Sequence, residues 1–210
     1  MALILFDLDG TLVDSSDHLI EALHLALEDM PHLEDPSIET VRSAYGLTGN
    51  DFWAKVVPDA TAQEITIIRK RRSMFLDQLV KGKNILYPGV RETLQELKER
   101  GHILSTASNC GTHYLDMVLD SQNIREFFSN PICLGTINGE KKADILEVHF
   151  DHFEEEEAIM VGDRYSDIEA ARVHNIPVVA CTYGFGKPDE WEKADYQVDR
   201  IEKIPEILAR

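Results

Sequence analysis

The chain alternates between short apolar runs and longer stretches in which apolar residues recur every three or four positions. The runs Leu3 to Phe6, His102 to Ala107, Ile132 to Leu134, Ala158 to Val161 and Val178 to Cys181 predict β-strands. The amphipathic stretches that follow them are typical of helices. Because the runs are continuous rather than alternating, both faces of each strand should be buried, as in a parallel sheet covered by helices. The pattern therefore predicts an α/β fold.

Residues 15–82 interrupt this alternation, because they contain helical patterns and no strand pattern. One helix is predicted to end at Pro31, a second follows Ser37, and a third begins at a T-x-x-E capping box that starts at Thr61. We interpret the segment as an all-α subdomain inserted into the α/β core. The predicted domains are a core of residues 1–14 and 83–210 and a helical subdomain of residues 15–82.

The composition excludes some classes of molecule as binding partners of the protein. Thirty-eight Asp and Glu residues against 21 Lys and Arg residues give a net charge of −17, which disfavours binding to nucleic acid and anionic membranes. The apolar run at the amino terminus has no basic flank, and no later run approaches membrane-spanning length. The chain has three cysteines and no C-x-x-C pair, which is typical of reduced thiols in a cytoplasmic protein; they are Cys110, Cys133 and Cys181. We expect these cysteines to be small core residues.

Polar residues follow the first predicted strand in the segment Asp7-Leu8-Asp9-Gly10-Thr11. Residues two apart in an extended chain point the same way, so we expect Asp7 and Asp9 to lie close together at the strand tip. Two carboxylates this close need a cation, or one of them must hold a proton. Gly10 allows a sharp turn, and the Thr11 hydroxyl can donate to an anion. A bound cation and a protonated carboxyl group beside a carboxylate are both useful to an enzyme.

Two later strands also end in polar residues. Ser108 and Asn109 follow the second predicted strand, and a G-D-x-x-x-D segment that contains Asp163 and Asp167 follows the fourth. The two aspartates are one helical turn apart, so both can face one cavity, although Asp163 alone would also serve as a helix cap. Ligands of an open parallel sheet bind at the carboxyl ends of strands, so we expect these ends to converge.

Lys142 lies at the start of a predicted helix, where the helix dipole disfavours a cation. This position indicates that the lysine has an anionic partner. The adjacent Lys141 is an alternative candidate, and a solvated surface position is the alternative for either residue.

Together these segments resemble the haloacid dehalogenase-like (HAD) superfamily of aspartyl-phosphate hydrolases. The matching residues are the D-L-D-G-T segment, Ser108-Asn109, Lys142 and the G-D-x-x-x-D segment at 162–167, in the order and spacing of the family. The resemblance covers essentially the whole chain, and the helical insertion is similar to the cap of the phosphoglycolate phosphatase-like branch. It implies a Rossmann-like parallel sheet core with helices on both faces and an inserted all-α cap subdomain.

The resemblance also implies a role for each motif residue. Asp7 would be the nucleophile, and Asp9 the general acid and base. Ser108 and Lys142 would bind the phosphate. The carboxylates of Asp7 and Asp163, with the backbone carbonyl of Asp9, would hold a Mg²⁺ ion. Further substrate contacts would come from Thr11 and Asn109, with Gly10 and Asp167 as supporting residues.

The implied function is a Mg²⁺-dependent phosphatase that hydrolyses a small phosphorylated metabolite, such as phosphoglycolate, through an aspartyl-phosphate intermediate. The second carboxylate, Asp9, disfavours a dehalogenase, because such members of the family lack it. A phosphosugar mutase, a pyrophosphatase and a catalytically silent binding protein on the same fold stay open as alternatives. The sequence determines neither the substrate nor the oligomeric state. The candidate specificity contacts are Tyr45 to Asn50, Arg42, Lys55 and Arg69.

Overall fold

The computed structural model describes residues 1–47, 49–154 and 157–208. The chain divides into two compact units: Met1–Asp14 with Leu86–Arg210, here the sheet unit, and Ser15–Ile85, here the helical unit. The strands are β1 (Leu3–Phe6), β2 (Ile103–Ser108), β3 (Ile132–Cys133), β4 (Ala158–Gly162), β5 (Val178–Cys181) and β6 (Tyr196–Val198). The helices of the helical unit are α1 (Ser16–Leu27), α2 (Ile38–Ala44), α3 (Gly49–Val56) and α4 (Ala62–Val80). Those of the sheet unit are α5 (Val90–Glu99), α6 (Thr112–Ser121), α7 (Leu134–Ile137), α8 (Lys142–His152), α9 (Tyr165–Val173), α10 (Pro188–Trp191) and α11 (Ile204–Ile207).

Within the described residues, six strands form one sheet in the order β3-β2-β1-β4-β5-β6, and every neighbouring pair is parallel. The chain runs outward from β1 through β2 to β3, and then returns to the other side of β1 to add β4, β5 and β6. β1 and β4 therefore flank the point at which the strand order reverses, which is where open α/β sheets bind ligands. The predicted α/β fold with a parallel sheet is confirmed.

The core of the sheet unit surrounds β1. Its residues Leu3, Ile4, Leu5 and Phe6 are at most 1% exposed, because neighbouring strands and packed helices cover both faces. On one face, β1 packs with β4 and β5 and with the apolar sides of α8 and α9. Each of the five predicted runs overlaps one of the strands β1 to β5, although Leu134 at the end of the third run begins α7.

The helical unit begins with α1, whose residues Leu19, Leu23 and Leu27 are buried and whose main neighbour is α4. The predicted capping box begins α4: the backbone N–H of Thr61 donates to Glu64 at 2.8 Å, and the backbone N–H of Glu64 donates to the Thr61 hydroxyl at 3.3 Å. These bonds satisfy backbone donors that a helix start leaves without partners. No helix in the described ranges is both long enough and apolar enough to cross a membrane.

The elements that the sequence patterns did not identify include β6 and α3. β6 lies at the sheet edge with Tyr196 and Gln197 exposed and Val198 buried, so it lacks the apolar run that identified the other strands. α3 begins at Gly49, a poor helix former, and buries Phe52 and Trp53. Packing against the rest of the chain, rather than local sequence pattern, accounts for both elements.

The two chain connections between the units lie side by side. Val13, before the helical unit, forms an antiparallel bridge with Leu86, after it, and the Tyr87 N–H donates to the Leu12 carbonyl at 3.0 Å. The compact unit ends at Ile85, three residues beyond the boundary expected from the sequence.

Candidate active site

The strand register brings the predicted strand ends to one edge of the sheet. Phe6 of β1 lies opposite Thr106 of β2 on one side and Val161 of β4 on the other. Asp7 follows Phe6 directly, and its N–H donates to the Val161 carbonyl at 2.9 Å. Asp163 lies two positions after Val161, so the first and fourth strands deliver carboxylates to the point where the strand order reverses.

A buried cluster of charged groups occupies this edge. Asp7, Asp163 and Asp167 are all buried, and one carboxylate oxygen from each lies within 4.8 Å of the others. The ammonium of Lys142, the first residue of α8, lies 2.9 Å from Asp7 Oδ2 and 2.5 Å from Asp167 Oδ1. The structure thus brings Lys142 into the cluster and leaves Lys141 exposed.

Three carboxylates and one ammonium leave the cluster with an excess of negative charge. Burial, and then the neighbouring Asp167 and Asp7, raise the pKa of Asp163 well above its usual value. Burial likewise raises the pKa of Asp167 to about 6, although Lys142 opposes the shift. Burial disfavours the charge on Lys142, but Asp167 and Asp7 outweigh it and raise the lysine pKa. The arrangement therefore favours a further positive charge or a bound proton.

The oxygens of Asp167 are engaged within the protein. Oδ1 contacts Lys142, while Oδ2 accepts the backbone N–H groups of Asp163 at 3.1 Å and Arg164 at 2.9 Å. A Cβ on Gly162 would lie 2.1 Å from the Asp167 carboxyl carbon, so only glycine fits before Asp163. These contacts make Asp167 a residue that orients the strand end and the lysine.

Asp163 has an oxygen available for a ligand. Its Oδ2 accepts the N–H of Phe185 at 2.6 Å, whereas its Oδ1 is buried and has no hydrogen-bond partner in the described part of the chain. A buried carboxylate oxygen without a partner is costly. Together with the nearby Asp7 carboxylate it forms an oxygen-only donor set, which fits a hard divalent cation such as Mg²⁺.

The segment after β5 holds Asp163 from the other side, and sequence reasoning did not identify it. The Trp191 indole N–H donates to the Asp163 carbonyl at 2.7 Å, and the Tyr183 hydroxyl donates to the Thr11 carbonyl at 2.8 Å. Between them, Gly184 packs so closely that a Cβ there would lie 2.5 Å from the Asp163 Cβ. The T-Y-G-F-G segment after the fifth predicted strand was the available sequence signal.

Gly10 has the turn conformation that the sequence predicted, and it also packs against Asp163. Its φ is +80°, in the left-handed region, and a Cβ at this position would lie 2.3 Å from Asp163 Oδ2. Glycine is therefore required both by the turn after β1 and by the close approach of the backbone to the aspartate.

The remaining predicted residues lie around the same strand ends. The half-buried Asp9 accepts a hydrogen bond at Oδ1 from the hydroxyl of Tyr114 in α6, at 2.5 Å. The Thr11 hydroxyl is buried and has no hydrogen-bond partner among the residues described. Ser108 is buried at the end of β2, and Asn109 beside it is half-buried. Tyr114 was not singled out from the sequence.

Residues 4–181 match the family of haloacid dehalogenase-like hydrolases. The protein belongs to this family. The match covers most of the chain, including both strands that deliver the aspartates, and the membership predicted from the motifs is confirmed. This HAD-like protein is accordingly a hydrolase, as predicted.

Two curated relatives cover nearly the full length of the hydrolase. A phosphoglycolate phosphatase of Vibrio cholerae is 31% identical over 227 residues, which span 98% of this chain and 96% of the relative. A phosphoglycolate phosphatase of Aliivibrio fischeri is 28% identical, with 99% and 96% covered. Among solved structures, a predicted phosphoglycolate phosphatase from Haemophilus somnus is 27% identical with a TM-score of 0.89, and the alignment covers 99% of this chain and 98% of that chain.

Two cations predicted as specificity contacts have partners inside the helical unit of the hydrolase. Arg42 forms an ion pair with Asp17 at 3.2 Å, and the Lys55 ammonium donates to the Ser43 carbonyl at 3.0 Å. Thr48, in the predicted segment Tyr45 to Asn50, lies outside the described residues.

The third predicted cation lies in an aromatic cluster of the helical unit. The Arg69 guanidinium is 5.5 Å from the ring centroid of Trp53, and that of Arg72 is 5.3 Å from the ring of Phe52. Tyr45 is buried rather than available at the surface, and its hydroxyl donates to the Ser16 carbonyl at 3.0 Å. Arg69 is exposed, as are Arg42 and Lys55.

Proposed function

We propose that this hydrolase is a Mg²⁺-dependent phosphatase that cleaves the phosphate monoester of a small metabolite of the phosphoglycolate class. The main support is the buried cluster of Asp7, Asp163, Asp167 and Lys142 at the reversal of strand order. The substrate class follows from the relatives named phosphoglycolate phosphatase, which are 28% and 31% identical over nearly the whole chain. We further propose that the helical unit is the cap that selects the substrate.

The charge of the site suits a phosphate ester. A carboxylate that approaches a phosphate opposes about 4 kcal/mol of repulsion per pair of unit charges at ~4 Å in an environment of intermediate dielectric. Lys142 offsets part of this repulsion beside Asp7. The carboxylates of Asp7 and Asp163 and the backbone carbonyl of Asp9 would hold the Mg²⁺ ion, which supplies additional charge neutralisation when bound.

Asp7 is the proposed nucleophile. Its Oδ1 accepts the N–H of Leu8 at 2.8 Å and its Oδ2 lies 2.9 Å from Lys142, so the carboxylate is fixed in orientation before a substrate arrives. In the first step a carboxylate oxygen forms a bond to phosphorus, and the bond from phosphorus to the ester oxygen breaks. The product is an aspartyl-phosphate and an alcohol.

Asp9 is the proposed general acid and base. It donates a proton to the departing ester oxygen, and then accepts a proton from the water that attacks the aspartyl-phosphate and regenerates Asp7. The Tyr114 hydroxyl donates to Asp9 Oδ1 and so orients the carboxyl group that transfers the proton. The hydroxyls of Thr11 and Ser108, the Asn109 side chain and Lys142 would orient the phosphate oxygens during both steps.

A panel of phosphorylated compounds tests the proposal. Phosphate release is measured with 2-phosphoglycolate, p-nitrophenyl phosphate, pyrophosphate and a hexose phosphate, with Mg²⁺ and with EDTA. We expect hydrolysis of phosphoglycolate that requires Mg²⁺ and that Asp7→Asn abolishes. Asp151→Asn, at an exposed position of α8, is the matched control and should behave as the wild type.

Other outcomes would contradict the proposal. Wild-type turnover by Asp7→Asn would contradict the assignment of Asp7 as the nucleophile. Activity unaffected by EDTA would contradict the requirement for Mg²⁺. A clear preference for pyrophosphate, or isomerisation of the hexose phosphate without phosphate release, would favour the pyrophosphatase or the mutase. Binding without turnover of any compound would favour the silent binding protein.

A further inference from the structure

Two of the three cysteines lie together beside the proposed phosphate-binding segment. Cys133 ends β3 and lies opposite Ser108 of β2 in the parallel register. The N–H of Gly135 donates to the Cys110 carbonyl at 3.1 Å, so the segments that follow the two strands are also joined. The Cys110 thiol donates a hydrogen bond to the Cys133 sulfur. The sulfurs are therefore in direct contact although 23 positions separate them in the sequence.

We propose that Cys110 and Cys133 are a redox modification site, which a peroxide converts to an intramolecular disulfide that inactivates the enzyme. A disulfide requires sulfurs that can approach each other. Hydrogen-bond contact between the sulfurs of Cys110 and Cys133 satisfies this condition. The expectation that all three cysteines are core residues is wrong for Cys110, which is partly exposed.

The two thiols are suited to different steps. Cys110 is accessible to a small oxidant, whereas Cys133 is fully buried. The hydrogen bond from Cys110 lowers the pKa of Cys133 to about 6 despite its burial, and the Thr136 hydroxyl, 3.2 Å from the Cys133 sulfur, contributes to the same shift. A buried thiolate in contact with an accessible thiol has the arrangement of a resolving cysteine, which needs access to its partner and not to solvent.

The reaction is balanced with a peroxide as the oxidant. The hydrogen bond to Cys133 raises the pKa of Cys110, so Cys110 must first transfer its proton to the Cys133 thiolate along that bond. The Cys110 sulfur then attacks one peroxide oxygen, the O–O bond breaks, and the departing hydroxide takes the proton back from Cys133 and leaves as water, so that Cys110 becomes a sulfenic acid. The Cys133 thiolate then attacks the Cys110 sulfur, the S–O bond breaks, and the hydroxide takes the proton that Cys133 released and leaves as water. In total, two thiols and one hydrogen peroxide give one disulfide and two waters.

The structure indicates why the disulfide would affect catalysis. The Ser108 hydroxyl donates to the Cys110 sulfur, so the sulfur is directly linked to a proposed phosphate-binding residue. The neighbouring backbones are in close contact, because a Cβ on Gly135 would lie 2.8 Å from the Gly111 Cα. Moving the sulfurs from hydrogen-bond contact to the ~2.05 Å of a disulfide must therefore displace the segment that holds Ser108. This effect on activity rests on the proposed phosphatase function, whereas the formation of the disulfide does not.

The test measures disulfide formation and activity separately. Wild-type protein is treated with hydrogen peroxide, excess peroxide is removed, and free thiols are counted after denaturation alongside the intact mass. We expect two of the three thiols to disappear, a mass loss of about 2 Da, and a peptide that links Cys110 to Cys133. Phosphate release should fall in parallel, and dithiothreitol should restore both the thiols and the activity.

Variants distinguish the pair from general oxidation. Cys110→Ser and Cys133→Ser should each keep their activity after peroxide treatment, and neither should form the cross-link. Cys181→Ala is the control, because Cys181 is buried in β5, and it should be oxidised and inhibited like the wild type.

Three results would overturn the proposal. They are retention of all three thiols, oxidation of Cys110 to a sulfinic acid without a cross-link, and a complete cross-link that leaves activity unchanged. If the untreated protein shows no phosphatase activity, the thiol count and the mass still decide whether the disulfide forms, while the proposed function fails separately.

Discussion

The Tyr114 hydroxyl donates a hydrogen bond to Asp9 Oδ1 at 2.5 Å, across 105 positions of the sequence. Tyr114 lies in the first turn of α6, immediately after the segment that contains Ser108 and Asn109. One helix therefore follows a proposed phosphate-binding segment directly and also holds the proposed acid and base. This relationship makes Tyr114 a positioning residue whose effect should be specific to proton transfer.

Replacing Tyr114 with Phe should lower kcat for an alkyl phosphate about tenfold, with little change in KM, because the Asp9 carboxyl loses its orienting donor. With p-nitrophenyl phosphate the loss should be much smaller, since that leaving group departs without a proton. Steady-state kinetics with both substrates provide the measurement. Tyr165→Phe, at an exposed position, is the control. Equal losses with the two substrates would contradict a role in proton transfer.

Lys142 should be important for stability as well as for catalysis. Lys142→Met leaves the carboxylates of Asp7 and Asp167 without their buried cation, so we expect the free energy of unfolding to fall by about 3–5 kcal/mol in EDTA. Denaturant titration measures the change. Adding Asp167→Asn to the variant should recover part of the loss, because it removes one of the unpaired charges.

The neighbouring lysine provides the matched control for this prediction. Lys141→Met changes the same residue type one position earlier, where the side chain is exposed, and should alter stability by less than about 0.5 kcal/mol. Similar losses for the two lysine variants would show that the buried cluster does not depend on Lys142.

Asp163 should reduce stability in the absence of metal and increase it in its presence. Its pKa is raised, so the unfolded chain releases this proton at lower pH than the folded protein, and stability is lost as the pH rises above the unfolded value. At neutral pH without metal, Asp163→Asn should therefore raise the free energy of unfolding. The variant should also show a smaller increase in Tm on addition of Mg²⁺.

Thermal melts with EDTA and with Mg²⁺ measure both effects of Asp163→Asn. Asp151→Asn in α8 should reproduce the wild-type melts in both conditions, because Asp151 is exposed. A lower Tm of the variant without metal would show that Asp163 is not under electrostatic strain. An equal rise in Tm on addition of Mg²⁺ in the variant and the wild type would show that Asp163 is not a ligand.

Glu64 should stabilise the start of α4 in a pH-dependent manner. Hydrogen bonds from the Thr61 hydroxyl and N–H, and then from His32, lower its pKa from 4.5 to about 2. A lowered carboxyl pKa means that the stabilisation is complete above about pH 4.5 and is lost as the pH falls toward 2. Glu64→Gln should therefore lower Tm at pH ~5, and the difference from the wild type should shrink at pH ~3.

Glu21→Gln, at an exposed position of α1, is the control for Glu64→Gln. It changes the same charge by the same substitution outside the capping box, so its effect on Tm should be small throughout this range. A Glu64→Gln difference that stays constant between pH ~5 and pH ~3 would contradict the lowered pKa.

Much of the sheet unit was predictable because its signals are local. A strand buried on both faces, such as Leu3–Phe6, needs a continuous apolar run, and the run is visible in the sequence without knowledge of its neighbours. The carboxylates at strand ends were also predictable, because a parallel sheet places those ends along one edge. Lys142 could be distinguished from Lys141 only in the structure, since both lysines lie at the same helix start and one side chain is buried.

The features that were missed depend on contacts between distant segments. Tyr114 contacts Asp9, and Trp191 contacts Asp163, through single hydrogen bonds that leave no periodic pattern in the sequence. The contact of Cys110 with its partner sulfur arises only when β3 pairs with β2. The edge strand β6 was missed for a related reason: it pairs with β5 through its backbone, and its side chains are largely exposed.

The bridge between Val13 and Leu86 has a consequence for how this architecture can vary. Because the chain leaves the sheet and re-enters it at adjacent backbone positions, the inserted segment closes a loop whose two ends already meet. Loop-closure cost grows only slowly with length, so inserts of very different size can be exchanged at this point without altering the strand register. The helical unit, the proposed cap, can therefore be replaced as a whole while the acidic strand tips remain as they are.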